Sequence, residues 1–253
     1  MTKITNISCV LIAKNAQATL KATLESLKEF EDVVLYSNNS TDETDSIAKS
    51  FSNVNLVNGN FIGFGPTKNC AATYAKNKWI LSLDADEVLS EEFISTLQEL
   101  TLQDNTLYSI SRENYYKKRV VKHCWGKDII VRLYKSTQTS FTDKLVHESI
   151  ISDTFEVKNI PALIKHYPYS TISDFIVKLD RYSSIYAEDN VGKKSSSPSK
   201  AFFNGLFSFF KTYIIKGGFL DGYAGLVIAF SHMATNFYKY IKLYELNKEL
   251  KVK

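Results

Sequence analysis

The sequence of 253 residues is poor in cysteine, proline and glycine, and each shortage excludes a class of protein. The three cysteines, Cys9, Cys70 and Cys124, are far apart and odd in number, so they predict neither a disulfide framework nor a CxxC metal site and are typical of a reducing compartment. Four prolines and ten glycines exclude collagen-like and low-complexity chains. No apolar run approaches the ~18 residues of a membrane-spanning helix, and we expect no secretory signal in residues 1–17.

A large apolar fraction and an uneven charge distribution are what the sequence does contain. Its 44% hydrophobic content supports a folded core, in one large domain or in one domain with an appendage. Residues 1–110 carry 8 Lys and no Arg against 14 Asp and Glu, a net charge of −6, whereas residues 111–253 have a net charge of +10. This asymmetry predicts an anionic partner for the second half, and composition leaves nucleic acid, phospholipid and phosphorylated glycolipid all open.

Short apolar runs alternate with helical patterns through the first hundred residues. Strands are predicted at 7–13, 32–36, 54–57 and 79–83, and helices at 18–27, after a capping box at Ser40, from Pro66 to Lys76 and after Ser90. This alternation indicates βαβ units, a mostly parallel sheet and an α/β fold class. Two further strands are predicted at 107–112 and 129–134, then a polar linker at 193–200 and two amphipathic helices over 201–245 that break near Gly217.

Ligands of parallel sheets bind beyond the carboxyl ends of the strands. Four segments are therefore expected at one edge of the sheet: 14–15, 37–42, 63–69 and 84–87. Asp84-Ala85-Asp86 directly follows the fourth strand, and two carboxylates one residue apart offer the oxygen ligands that Mg²⁺ or Mn²⁺ prefers. A solvated acidic turn before the next helix is the simpler interpretation, and the motif alone leaves both open.

Several motifs follow one another in a recognisable order. ISCVLIAKN forms the first strand, NNSTDET follows the second, GFGPTKN precedes the third helix and LSLDADE ends the fourth strand. This order resembles the family-2 glycosyltransferases, which have the GT-A fold and use nucleotide-diphosphate sugars. Downstream, W-x-x-D with R-L-Y, V-H-E, R-Y-S and G-F-L-D-G are similar to the lipopolysaccharide-core branch, whose members add glucose to a core heptose.

The resemblance implies ligands for a nucleotide sugar and for a metal ion, Mg²⁺ or Mn²⁺. The implied nucleotide-sugar contacts are Ala13, Lys14, Asn15, Ser37, Lys68 and Asp84. The implied metal ligands are Asp86, Asp84 and His147, the last of which is equally readable as an ordinary histidine. Ser37 and Ala16 depart from the family, which usually has Asp and Glu at these positions; the departure weakens the case for uracil.

An inverting displacement is the reaction that the resemblance implies, and it needs a base on the acceptor side. Glu148 and Asp128 are the candidate bases, with Asp143 as a weaker third, and a surface salt bridge is the alternative for each. Implied acceptor contacts are Trp125, Arg132, Lys117 and Lys118, although a run of lysines is usually a solvated face.

We expect a GT-A domain over residues 1–190, with a nucleotide-binding half (1–105) and an acceptor half (106–190), followed by an amphipathic helical region over 201–253. The aromatic-rich helices predict either contact with an anionic membrane that holds a lipid-linked acceptor, or a hairpin packed on the sheet domain or in a homodimer. The first interpretation places the protein in the cytoplasm, peripherally at the inner membrane.

The predicted function is transfer of a hexose, glucose, from a UDP-linked donor to lipopolysaccharide inner core. Another surface glycan or a glycoprotein as acceptor stays open. Two rivals come from other classes: a Mg²⁺-dependent phosphatase that uses LSLDADEV as its nucleophile motif, and a non-catalytic protein that binds an anionic polymer. No nucleic-acid module is indicated, because the aromatic residues follow helical spacing and do not alternate with the charges.

Overall fold

The computed structural model describes residues 2–126, 128–143 and 148–252. The chain forms two compact units: unit 1 comprises residues 1–113 and 127–167, and unit 2 comprises residues 114–126 and 168–253. The sequence predicts one boundary near residue 190, so the observed division is different and assigns two further segments to the second unit. The reason is that two long strands, Thr106–Tyr116 and Glu156–Tyr169, begin in unit 1 and end in unit 2.

Unit 1 is an α/β unit. Its strands are β1 (Ile4–Ala13), β2 (Phe30–Ser37), β3 (Val54–Asn58), β4 (Trp79–Asp84), β5 (Glu87–Leu89), β6 (Thr106–Tyr116), β8 (Asp128–Lys135) and β9 (Glu156–Tyr169). The last residues of β6 and β9 belong to unit 2. There, β7 (Arg119–Val120) pairs with the end of β6. Its helices are α1 (Leu20–Ser26), α2 (Thr44–Lys49), α3 (Phe64–Ala72) and α4 (Glu91–Glu99). The alternation predicted for the first hundred residues is confirmed.

The sheet of unit 1 has the strand order β3-β2-β1-β4-β8-β6-β9-β5. The pairs β1-β2, β1-β4 and β2-β3 are parallel, and the pairs β4-β8, β8-β6 and β9-β5 are antiparallel. On β1, Cys9 and Leu11 pack into the core on one face and Val10 into the core on the other. A strand covered on both faces must be apolar on both, which explains the continuous apolar run of β1.

Two local predictions are wrong. Ser40 does not cap α2, because the helix begins at Thr44 and the Ser40 hydroxyl accepts the backbone N–H of Asn15 at 3.1 Å instead. Helix α3 begins at Phe64, so Pro66 is its third residue and not its first. Ser90 does cap α4 as predicted, since its side chain accepts the Phe93 N–H at 3.1 Å.

Unit 2 is helical apart from the β6–β7 hairpin. Its helices are α5 (Ile172–Asn190), which the sequence analysis missed, α6 (Pro198–Phe210) and α7 (Gly222–Val252), with a π-helical turn (Lys211–Ile215) and a 3-10 turn (Gly218–Asp221) between the last two. The predicted break near Gly217 is confirmed. Gly217 has a φ of 70°, and a Cβ added to Gly225 would lie 1.8 Å from the carbonyl oxygen of Gly218. Only glycine permits this close turn.

Candidate active site

The carboxyl ends of β1, β2 and β4 bring three predicted site residues to one edge of the sheet. Ala13 lies beside Ser37 in the register of β1 with β2, and Asp84 pairs with the residue before Ala13. The loops beyond these strands are tied together, because the side-chain oxygen of Asn15 accepts the backbone N–H of Thr41 at 2.8 Å. The predicted meeting of these segments at one edge is confirmed.

Polar side chains surround the end of β2. The buried Ser37 hydroxyl donates to Asp45 Oδ1 at 2.6 Å. Asn38 is only 5% exposed, and its side-chain oxygen has no hydrogen-bond partner among the residues that the structure describes. Asn15 and Asn39 have φ values of 53° and 54°, in the left-handed region that asparagine tolerates better than most residues. This edge therefore offers amide and carboxylate oxygens where the resemblance implies a nucleoside.

Two cations hold the carboxylate of Asp84. Its Oδ1 lies 3.0 Å from Lys68 Nζ, and its Oδ2 lies 2.6 Å from Arg132 Nη2. The side chain of Lys68 is only 3% exposed and also pairs with Glu148 Oε1 at 2.8 Å. Burial opposes ionisation of Asp84, but Arg132 and Lys68 outweigh it and hold the pKa of Asp84 well below its usual range. Both oxygens of Asp84 thus face cations, and its predicted role as a metal ligand stays a prediction.

A second ion cluster, unforeseen in the sequence, adjoins Asp84. Glu87 is fully buried; its Oε2 accepts the backbone N–H of Asp84 at 2.9 Å, and its Oε1 lies 2.8 Å from Arg112 Nη1. Arg112 also contacts Asp128 Oδ2, from Nε at 2.9 Å and from Nη2 at 2.7 Å. Burial opposes the charge on Arg112, but Glu87 and Asp128 prevail and raise the pKa of Arg112. Arg112 thus links a predicted base to the turn that carries Asp84.

Asp86 points to a different partner. Its Oδ1 lies 3.6 Å from Nε2 of His166 on β9, and its backbone oxygen accepts the N–H of Tyr167 at 2.9 Å. The side chain of Asp86 is 26% exposed. His166 was not predicted, and the predicted ligand His147 lies outside the described residues.

The donor set at Asp86 fits a divalent cation in part. A carboxylate oxygen and an imidazole nitrogen face each other there, and carboxylates suit Mg²⁺ and Mn²⁺. Within residues 2–126, 128–143 and 148–252, no three His, Cys, Asp or Glu side chains form a cluster that could enclose a metal ion. A cation at Asp86 would therefore need further oxygens from a substrate.

The segment that carries Glu148 approaches α3 closely. A Cβ added to Gly65 would lie 1.9 Å from the carbonyl oxygen of Thr142, so a larger residue would push this segment away. The Asn69 side chain donates to the carbonyl of Phe141 and accepts its N–H, both at 2.9 Å. Gly65 and Asn69 both belong to GFGPTKN, so this motif positions the segment before Glu148.

The other predicted residues are dispersed. Arg132, predicted to bind the acceptor, is only 7% exposed and pairs with Asp84; its role towards the acceptor stays a prediction. Lys14 and Asp143 are both exposed side chains of unit 1. The three remaining acceptor predictions, Trp125, Lys117 and Lys118, belong to unit 2 and stay predictions.

Comparison with known proteins identifies the family to which this chain belongs. Residues 8–156, more than half of the chain, match the family described as glycosyl transferase family 2. The chain belongs to this family. A glycosyltransferase of Rickettsia bellii (strain RML369-C) is 29% identical over 260 residues, which cover 95% of this chain and 87% of that protein. One from Rickettsia typhi (strain ATCC VR-144 / Wilmington) is 27% identical over 257 residues, which cover 95% and 87% of the two chains.

A solved structure supports the fold of this family-2 glycosyltransferase. The mannosyltransferase from Pyrobaculum calidifontis in complex with GDP-Man and Mn²⁺ is 10% identical and has a TM-score of 0.55, covering 94% of this chain and 86% of that one. The predicted GT-A-like α/β fold is confirmed. The enzyme class is confirmed as well, and it excludes the phosphatase and the non-catalytic polymer binder.

Removing the buried carboxylate of this glycosyltransferase should destabilise its fold. We expect Glu87→Gln to lower the free energy of unfolding by ~1–3 kcal/mol, because Arg112 would lose its fully buried anion and keep only Asp128. Urea denaturation measures this. Glu91→Gln, at an exposed position on α4, is the matched control, with a change within ~0.5 kcal/mol. A Glu87→Gln variant as stable as the control would contradict the structural role of Glu87.

Proposed function

We propose that the protein is an inverting hexosyltransferase that moves glucose from a UDP-linked donor to lipopolysaccharide inner core at the cytoplasmic face of the inner membrane. The ion cluster at the carboxyl edge of the sheet carries this proposal. It links Lys68, Arg112 and Arg132 to four carboxylates: Asp84, Glu87, Asp128 and Glu148. The cluster lies next to Asp86, whose side chain is 26% exposed.

The charge balance of this cluster supports a metal-dependent donor. Three cations face four carboxylates, and Asp86 adds a fifth, so the edge is net negative and would repel a diphosphate. A divalent cation between Asp86 and a diphosphate would reverse this repulsion, and Mg²⁺ or Mn²⁺ bound there supplies positive charge for the leaving group. Asp86 and His166 would hold it. Asp84 instead positions Lys68 and Arg132.

Glu148 is the better placed of the two candidate bases. Asp128 Oδ2 receives two guanidinium N–H groups from Arg112, whereas Glu148 Oε1 is contacted by the single ammonium group of Lys68. In this proposal Glu148, the less strongly held carboxylate, accepts the proton of the acceptor hydroxyl. Lys68 also contacts Asp84, so it fixes the distance between the donor side and the base.

Asp45 supports uracil as the base of the donor. The family usually has Asp where this chain has Ser37, but the Ser37 hydroxyl contacts Asp45 Oδ1 at 2.6 Å, so a carboxylate still lies at this point of the edge. The half-buried Asp45 can accept an N–H of a nucleobase. In this proposal, Asp45 of α2 supplies the carboxylate that is missing at Ser37 of β2.

Replacing Asp45 should change which nucleotide binds. We expect Asp45→Asn to weaken UDP binding ~10–100-fold, because a hydrogen bond to a charged acceptor contributes ~1.5–3 kcal/mol. Calorimetric titration with UDP and Mn²⁺ measures the effect. Glu43→Gln, an exposed neighbour, is the control and should bind UDP as the unchanged protein does. Equal UDP affinity in Asp45→Asn and the control would remove Asp45 from the nucleotide site.

The activity itself is tested in two stages. Titration of UDP, GDP, CDP and ADP, each with and without Mn²⁺, identifies the nucleotide, and metal-dependent binding of UDP alone is the expected result. Labelled UDP-glucose is then offered with glucose-free inner core, with other surface glycans and with glycoprotein. The net charge of +10 in residues 111–253 supports a phosphorylated, lipid-linked acceptor. Transfer to another acceptor only would replace lipopolysaccharide in the proposal.

A further inference from the structure

Helix α6 of unit 2 turns its aromatic side chains towards solvent. Its small residues Ala201 and Gly205 are buried, and a Cβ added to Gly205 would lie 3.1 Å from the carbonyl oxygen of Met233 on α7. The aromatic side is exposed instead, with Phe203 at 65% and Phe207 at 60%. Burying small residues and exposing large apolar ones is the reverse of the usual arrangement in a water-soluble helix hairpin.

The exposed apolar side chains continue from α6 through the break and into α7. We call them the apolar face: Phe202, Phe203, Leu206, Phe207, Phe210, Ile214, Ile215, Phe219, Leu220, Tyr223, Leu226 and Phe230. Twelve large side chains, most of them about half exposed, leave roughly 1,000 Å² of apolar surface. Ordinary monomers rarely expose more than about 600 Å² in one patch, so this surface needs an occupant.

Length and apolar content do not favour a crossing of the membrane by one straight helix of this hairpin. Among the described residues, no single helix is long and apolar enough to cross a membrane. Only together are the segments Pro198–Ile215 and Gly218–Leu250 long and apolar enough, and they are bent by 70° at the break. An apolar side flanked by Lys and Arg is typical of helices that lie in the membrane interface.

The charges around the apolar face are almost all positive. Residues 114–126 and 198–230 contain seven exposed cations: Lys117, Lys118, Arg119, Lys122, Lys200, Lys211 and Lys216. Their one acid, Asp221, accepts the backbone N–H groups of Lys122 and Cys124, at 3.0 and 2.9 Å. Burial opposes ionisation of Asp221, but these N–H groups outweigh it and lower its pKa. Asp221 is thus an internal anchor, which explains the acid in G-F-L-D-G.

A cavity of about 510 Å³ lies where the cations meet the apolar face. We call it the basic cavity; it is lined by Tyr116, Lys117, Lys118, Arg119, Tyr223 and Ala224. Tyr116 is 2% exposed, and its hydroxyl has no hydrogen-bond partner in the part of the chain that the structure describes. Three exposed cations at one cavity, Lys117, Lys118 and Arg119, suit the oxygens of a phosphate group. Tyr223 belongs to the basic cavity and to the apolar face, so one ligand can reach both.

We propose that unit 2 docks on an anionic phospholipid bilayer, with the apolar face in the interfacial region and a lipid phosphate in the basic cavity. The apolar area and the surrounding cations together select this occupant, because an anionic bilayer presents acyl chains and phosphate groups in adjacent layers. A second copy of the chain would bring the same cations against each other. Docking on a bilayer requires neither the sugar donor nor the sugar acceptor, so it can be tested independently of the transfer reaction.

Vesicle flotation of the full chain tests the proposal. The probes are vesicles of phosphatidylcholine alone and vesicles that also contain phosphatidylglycerol. We expect flotation with phosphatidylglycerol vesicles at low salt and a marked loss at high salt, because the cations contribute through screened attraction. Protein that stays at the bottom with both vesicles at low salt overturns the proposal.

Two variants separate the apolar face from the basic cavity. Phe203→Ser with Phe207→Ser removes two exposed rings, and we expect partitioning to fall about tenfold or more. Lys117→Gln, Lys118→Gln and Arg119→Gln together should reduce it about tenfold and weaken its salt dependence, because four of the seven cations remain. The matched controls in unit 1 are Val157→Ser with Leu163→Ser, and Lys21→Gln, Lys49→Gln and Lys78→Gln together; all these positions are exposed. Controls that lose binding equally would overturn the assignment to unit 2.

Two further measurements test the other possible occupants. Binding of inorganic phosphate tests a free anion in the basic cavity, and sedimentation tests a second copy of the chain on the apolar face. If the cavity triple variant loses affinity for inorganic phosphate but floats like the unchanged protein, the basic cavity binds a free anion and the lipid assignment is overturned. If sedimentation shows a dimer that the two serine substitutions dissociate, and no vesicle binding occurs, the apolar face is an interface between copies. A monomer or dimer that floats with its apolar face intact supports the proposal.

Discussion

Asp86→Ala should reduce the rate of sugar transfer about 10³-fold or more and abolish the Mn²⁺ dependence of UDP binding. Removing the carboxylate removes the main anchor for the cation, and about 4 kcal/mol of charge stabilisation on the leaving diphosphate corresponds to this factor. The side chain is 26% exposed at the edge of the sheet, so its loss should leave the free energy of unfolding within ~1 kcal/mol. Calorimetry and a steady-state assay at several Mn²⁺ concentrations measure both effects.

Two comparisons make this result specific. Asp153→Ala removes an exposed carboxylate of the same unit and should leave rate and Mn²⁺ affinity unchanged. His166→Ala should weaken Mn²⁺ binding in the same direction as Asp86→Ala, because the two side chains face each other at 3.6 Å. Full activity in Asp86→Ala would show that Asp84-Ala85-Asp86 is only an acidic turn between β4 and β5. Loss in Asp86→Ala without loss in His166→Ala would leave Asp86 as the ligand and exclude His166.

The parallel half of unit 1 could be predicted because its signals are local. Strand β1 is apolar on both faces, and Asp84 is the last residue of β4, so adjacent residues alone place the motif at the carboxyl edge. Strand β9 has no local sequence pattern of this kind. Its buried residues Ile160, Ala162 and Ile164 alternate correctly, but the exposed Pro161 and Leu163 between them obscure the period of two.

The ion cluster could not be predicted because strand register creates it. Arg112 reaches Asp128 since the two residues pair across the antiparallel strands β6 and β8. His166 comes next to the Asp86 turn because it pairs with Glu87 between β9 and β5. No short-range spacing encodes either pairing, so sequence patterns that found Asp84 and Asp86 could not find Arg112 or His166.

Glu148→Gln should lower the turnover rate by ~10²–10⁴-fold while UDP binding with Mn²⁺ persists. Glutamine keeps the volume of the side chain and an oxygen for Lys68, which contacts Glu148 at 2.8 Å, but an amide cannot take the proton of an acceptor hydroxyl. Steady-state rates and calorimetry on the same preparations separate catalysis from binding. A dependence of rate on pH that reports an essential base in the unchanged protein should disappear in this variant.

Asp128→Asn is the comparison that decides between the two candidate bases. Its carboxylate already receives two N–H groups of Arg112, so we expect its replacement to disturb Arg112 and lower stability more than it lowers the turnover rate. If Asp128→Asn instead loses ~10²–10⁴ in rate and Glu148→Gln does not, the base lies on β8. Lys68 would then serve to position Asp84 alone, and its contact with Glu148 would hold the segment next to α3 in place.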